Sequence, residues 1–194
     1  MRSGKDNEMG FALAVLKSPD ARYNAASLAR HMNLSAMGSL KIARRLEKDN
    51  VIISKKFGNA NSYSIRADSS YAREYVRFAL KREAEGASPY IKRWIREMEK
   101  IKNAEGAVLF GSLLKREKEA GDIDALIIVH KKSFEKVKKE IEIINMLNDK
   151  KIHPLYQTRE DLRKHINEGN KVILNAVKGI AVSGEDAIIE ALVK

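Results

Sequence analysis

The stretch Glu105–His130, read EGAVLFGSLLKREKEAGDIDALIIVH, constrains this chain more than any other. It opens with a short apolar run, Ala107 to Phe110. Gly111 stops that run after a strand-like length. Gly111-Ser112 is followed by a charged segment of helix-forming residues, Leu113 to Ala120. Asp122-Ile123-Asp124 then runs directly into Ala125–Val129, a second apolar strand candidate. Residues two apart on a strand face the same side, so Asp122 and Asp124 project together while Ile123 points away. Two carboxylates on one face, beside a glycine-led turn at a helix start, suit a divalent metal that holds phosphate oxygens.

This order of parts resembles the nucleotidyltransferase superfamily that includes DNA polymerase β and kanamycin nucleotidyltransferase. The family pattern is an apolar strand, Gly-Ser, a spacer, and Asp-x-Asp on the next strand. It is matched here by Gly111, Ser112, Asp122 and Asp124. The resemblance covers residues 104–194 and implies a small mixed sheet with helices on one side. It implies that Asp122 and Asp124 are the catalytic carboxylates and hold Mg²⁺, and that Gly111 and Ser112 cradle a nucleoside triphosphate. The chain departs from the pattern twice. Many small members carry Arg-Gly in the spacer, where this chain reads Lys115-Arg116-Glu117. The family also uses a third carboxylate, on a later strand, as base towards the attacking hydroxyl. The strand candidate in that place, KIHPLYQT from Lys151 to Thr158, has no acid. Glu160 and Asp161 follow it, but they read as the first turn of a helix capped by Thr158.

Charge separates the two halves of the chain. The 194 residues carry a net charge of +11. Residues 1–103 hold 21 Lys and Arg against 11 Asp and Glu, a net of +10, whereas residues 104–194 hold 16 against 15. A basic half joined to a neutral one points to a polyanion as partner of the former. Cysteine is absent, which removes disulfides and thiolate metal sites and fits a reducing cytoplasm. No apolar run approaches a membrane span and no signal peptide is read at the N-terminus, so no membrane partner is expected.

The basic half reads as three helices and a hairpin. The first runs from Asp6 to Lys17, with Met9, Leu13 and Leu16 on one stripe. The second runs from about Asn24 to His31 and the third from a Ser35 cap to Lys48, with Leu40, Ala43 and Leu46 buried. Asn50 suits a left-handed C-cap. Val51–Ile53 and Tyr63–Ile65 flank a turn built from Gly58-Asn59-Ala60-Asn61. This layout resembles a winged helix-turn-helix domain over residues 1–67. The resemblance implies duplex DNA as partner, read by the third helix and touched by the hairpin. The matching positions are Ser39, Lys41, Arg44, Arg45 and Lys48 on the helix and Lys55 and Lys56 on the wing.

Residues 68–103 read as a helical connector of two helices, or as a contact in a homodimer. Tyr71, Tyr75, Phe78 and Ala79 form the buried face of one, and Ile91, Trp94, Ile95 and Met98 that of the other. Beyond the motif, Ser133–Leu147 is an amphipathic helix, and a strand is expected over Lys178–Gly184 before a final helix. The four histidines lack metal-ligand spacing. The expected class is α+β: a winged helix domain, a helical connector and a nucleotidyltransferase-like domain. Three functions stay open. One is a Mg²⁺-dependent transfer of a nucleoside monophosphate to a hydroxyl. Another is a DNA-binding regulator whose degenerate transferase-like domain senses a nucleotide or dimerises. The third is one half of a toxin–antitoxin pair.

Overall fold

Local capping chemistry sets the helix boundaries of the N-terminal part. In the computed structural model, which describes residues 4–21, 23–57 and 60–193, helix α1 spans Gly4–Leu16, α2 Ala25–Met32 and α3 Ala36–Lys48. Asn24 caps α2 by accepting from Ser27 N at 2.8 Å, and Ser27 Oγ returns the bond by accepting from Asn24 N at 2.9 Å. Asn33 ends that helix in the left-handed conformation, φ 55°. Ser35 Oγ caps α3 through Gly38 N at 3.0 Å, and Asn50 follows its end at φ 57°. Strands β1 (Ile52–Phe57) and β2 (Ala60–Ile65) then pair antiparallel, Ile52 opposite Ile65. Gly58 and Asn59, expected at the hairpin tip, lie outside the described residues.

Phe11, Leu16, Leu28, Leu46 and Ile52 are fully buried in this part. Phe11 meets Tyr63 edge-on, with centroids 5.8 Å apart. Helix α1 buries Phe11, Ala12 and Val15 as well as the expected Leu13 and Leu16. It is buried nearly all round from Phe11 onward rather than along one stripe.

Helix α4 spans Ser70–Glu85 and departs from expectation. Tyr71 is 56% exposed and Phe78 57% exposed, while Ala72, Val76, Ala79 and Leu80 are buried. Two apolar stripes compete on this helix. The row of Ala72, Val76, Ala79 and Leu80 is buried, whereas of the aromatic side chains Tyr71 and Phe78 stay exposed and Tyr75 is half-buried. The chain divides into two compact units within α4, after Ala79, with Leu192 onward counted in the first unit. The split thus falls inside the segment 68–103.

In the second unit, α5 (Pro89–Met98) starts at the Ser88 cap with Pro89 in its first turn. Its Ile91, Trp94, Ile95 and Met98 pack into the same core as the sheet residues Leu109, Ile123 and Ile127. Strand β3 (Gly106–Phe110) leads to a single turn, α6 (Leu113–Arg116), and a 3-10 turn at Glu117–Glu119. Strand β4 (Ile123–Ile128), helix α7 (Phe134–Leu147), strand β5 (Ile152–Gln157) and helices α8 (Arg159–Asn167) and α9 (Lys171–Ala176) follow. Strand β6 (Ile180–Ser183) and helix α10 (Glu185–Leu192) end the chain. The sheet order is β5-β4-β3-β6; β3 is antiparallel to both β4 and β6, and β4 is parallel to β5.

Consecutive residues Ala125–Ile128 of β4 and Ala107–Leu109 of β3 are all buried. The sheet is thus covered on both faces, against the expectation of one. Among the described residues the fold is α+β, with ten α-helices and two small sheets, and no helix is long and apolar enough to cross a membrane.

Candidate functional site

The antiparallel register places Asp124 directly opposite Phe110, so the start of β4 lies beside the Gly111-Ser112 turn at the end of β3. Gly111 has φ +81°. A Cβ built on it would lie 1.9 Å from Asp124 Oδ2 and 2.7 Å from Asp124 Cγ. The carboxylate therefore rests on the bare Cα of the turn, and no other residue fits there. Ile123 is fully buried, Asp122 is exposed and Asp124 is partly exposed. Asp124 lies on β4, whereas Asp122 sits in the bend just before it, outside the strand on which the expected alternation was read. Gly111→Ala is expected to cost on the order of 3 kcal/mol, from left-handed strain plus overpacking. A urea denaturation curve checks this; an unchanged midpoint would show that Asp124 swings aside at no cost.

Gly111 and Ser112 line a cavity of about 510 Å³. Its other polar walls are Lys115, Arg116, Asn175 and Lys178. The three cationic side chains make no hydrogen bond or ion pair with a described residue, and no carboxylate lines the cavity. Unpaired positive charge in a concave, partly walled space attracts a polyanion. Gly179 brings Lys178 and Asn175 to this place. A Cβ there would lie 2.2 Å from Leu109 O, so only glycine allows the chain to enter β6 this close to β3. Sequence reasoning missed Asn175 and Lys178. The available signal was a Lys-Gly pair at a strand entry, which gives no hint of which turn it will face.

The helix after Ser112 has one turn only, Leu113–Arg116, and Ser112 makes no side-chain capping bond. The expected helix start therefore offers little dipole, and the positive character of the cavity comes from side chains. Glu117 ends that turn at φ 45°, ψ −110°, a region that glycine tolerates and a Cβ does not. It stands where the sequence pattern leads one to look for Arg-Gly. Glu117→Gly is expected to raise stability by about 1–2 kcal/mol through relief of that strain. Thermal denaturation reads the gain, and a loss would mean that the glutamate side chain holds the turn.

Strand β5 aligns His153 with Asp124, and His153 Nε2 lies 3.7 Å from Asp122 Oδ1. No acid of β5 approaches the pair. Asp161 is bonded instead to the cap of α8, where its backbone N donates to Thr158 Oγ1 at 3.1 Å and its Oδ2 accepts from that hydroxyl at 2.9 Å. Among the described residues no group of three or more His, Cys, Asp or Glu side chains could hold a metal ion.

The first unit carries a separate basic surface. Lys41, Arg44, Arg45 and Lys48 are exposed on α3, and Lys55 and Lys56 are exposed on β1. Arg45 is held by an ion pair with Glu8 of α1. Ser39 does not belong to this surface. It is fully buried, and its hydroxyl donates to Ala25 O at 2.7 Å, tying α3 to the start of α2. Burial and the Glu47 carboxylate push the Tyr63 phenol upward, with Arg44 opposing the shift. Compared with protein-family models, curated proteins and solved structures, the chain matches none, so the site is read from its own geometry.

Proposed function

We propose that the second unit transfers a nucleoside monophosphate from a nucleoside triphosphate to a hydroxyl, and that the first unit docks the protein on duplex DNA as a winged helix. The observation that carries the transferase reading is Asp124 seated on Gly111 beside a cavity walled by Lys115, Arg116 and Lys178. The strand–Gly-Ser–strand arrangement, with β3 antiparallel to β4 and β4 parallel to β5, supports a nucleotidyltransferase-like layout.

In this reading the triphosphate occupies the cationic cavity, with Lys115, Arg116 and Lys178 neutralising its oxygens and the Gly111 backbone in close approach. Asp122 and Asp124 are hard oxygen donors of the kind Mg²⁺ takes, and they would hold that ion with substrate phosphates completing its shell. Bound there, Mg²⁺ would neutralise charge on the phosphate oxygens. The acceptor hydroxyl oxygen forms a bond to the α-phosphorus and gives its proton to solvent water, and the bond to the β-phosphate bridging oxygen breaks, releasing pyrophosphate. The protein's part is positioning and electrostatic stabilisation.

A second reading has a specific observation in its favour. Strand β5 offers His153, not a carboxylate, at the level of Asp124. On this reading the domain binds nucleotide without turnover and serves a DNA-binding regulator. One experiment separates the two. The full chain is incubated with each α-labelled ribonucleoside triphosphate, Mg²⁺, and either itself or an oligonucleotide as acceptor. Transfer that EDTA stops supports the transferase; nucleotide binding without transfer supports the regulator; no nucleotide binding overturns both.

A further inference from the structure

A second cleft lies at the other end of β4. It opens where β4 and β5, which run parallel, both give way to helices, and has a volume of about 360 Å³. Asp124 and Val129 are separated by five residues of extended chain, roughly 17 Å, so this cleft is distinct from the Gly111 cavity. We propose that it binds a free α-amino acid with an aromatic side chain. The inference is independent of the transferase reading.

The cleft's walls define the ligand. Val129, Phe134 and Tyr156 supply the apolar surface. Phe134 and Tyr156 meet edge-to-face, with centroids 4.9 Å apart at 70°, and a third ring can extend such a pair. The amide of Gln157 is already committed. Its Nε2 donates to Tyr156 O at 2.7 Å, and its Oε1 lies 2.7 Å from His165 Nδ1. Thr158 is committed to Asp161 in both directions. Two polar groups then remain available. The Lys131 side chain makes no hydrogen bond or ion pair with a described residue, and Asp161 has used one carboxylate oxygen in its bond to Thr158.

One ammonium and one carboxylate beside an aromatic wall select against singly charged ligands. A simple anion would meet Asp161 and a simple amine would meet Lys131, each a like-charge contact that lowers affinity. An α-amino acid pairs its carboxylate with Lys131 and its ammonium with Asp161, and lays its ring on Phe134 and Tyr156. The volume is at the low end for ligand pockets, roughly 300–1,000 Å³, which suits one amino acid.

The test titrates the full chain with L-phenylalanine by calorimetry, and follows the backbone amides of Val129, Phe134 and Tyr156 by NMR. Phenethylamine, 3-phenylpropionate and glycine are the controls lacking carboxylate, ammonium and ring. The expected result is saturable L-phenylalanine binding, with each control weaker by about tenfold or more. Lys131→Ala should weaken L-phenylalanine while strengthening phenethylamine, and Asp161→Asn should weaken L-phenylalanine while strengthening 3-phenylpropionate, because each variant removes a like-charge contact. Both residues are exposed, so both variants keep the fold. Absence of saturable binding overturns the proposal. So does a control that binds as tightly as L-phenylalanine, or binding that neither variant alters.

Discussion

Asp124→Asn is expected to lower Mg²⁺-dependent label transfer by at least about 10²–10³-fold, the scale seen when one directing group is removed from a charge-stabilising site. The unfolding midpoint should stay within about 0.5 kcal/mol of wild type, as for a substitution that breaks no packing. Asp124 touches Gly111 through its carboxylate and its Cβ, and asparagine fills the same volume. Packing against the turn is therefore kept and only the negative charge is lost. Gly111→Ala acts in the opposite sense, leaving the charge and disturbing the packing. Stability and transfer measured on both variants separate the two contributions. If Asp124→Asn transfers label at the wild-type rate, the carboxylate has no part in the chemistry, and the regulator reading gains from the same data.

Local chemistry was legible in the sequence wherever one residue decides the outcome. Ser35 and Thr158 cap the helices they precede, and Asn50 takes the left-handed conformation, because each acts through its own side chain and the adjacent backbone. The Gly111-Ser112 turn between two strands was legible for the same reason.

What failed was the choice among competing faces. On α3 Ala43 and Leu46 are buried as expected, but Ser39 takes the place of Leu40 in that row, its hydroxyl bonded to the Ala25 carbonyl. A serine in a basic helix reads as a surface residue until that partner is known. On α4 both stripes are apolar, and packing chose the smaller side chains over Tyr71 and Phe78. The cationic cavity was half legible. Lys115 and Arg116 follow the turn directly, whereas Lys178 reaches it from more than sixty residues away, through the close approach of Gly179 to Leu109. Such a juxtaposition is tertiary and leaves no local signature.

Replacing Lys41, Arg44, Lys48, Lys55 and Lys56 together with alanine is expected to weaken duplex DNA binding by about 10²–10³-fold at low salt. All five are exposed on α3 and β1, whereas Arg45 is engaged by Glu8 and is spared for that reason. Each phosphate contact contributes about 0.9 to the slope of log affinity against log salt concentration. Losing up to five contacts should flatten that slope by as much as about 4.5. Fluorescence anisotropy across a salt series measures both quantities in one titration.

Net charge alone predicts a different pattern. The five substitutions take the chain from +11 to +6, and replacing Lys136, Lys138 and Lys139 of α7 with alanine takes it from +11 to +8. These three lysines are also exposed. A diffuse electrostatic attraction would respond to both sets in rough proportion to the charge removed. A docked surface on the first unit loses phosphate contacts with the first set and none with the second, so its loss per charge removed is larger for the first. Equal loss per charge from the two sets would therefore remove the winged-helix contact from the proposed function, while leaving the Gly111–Asp124 site to be judged by its own measurements.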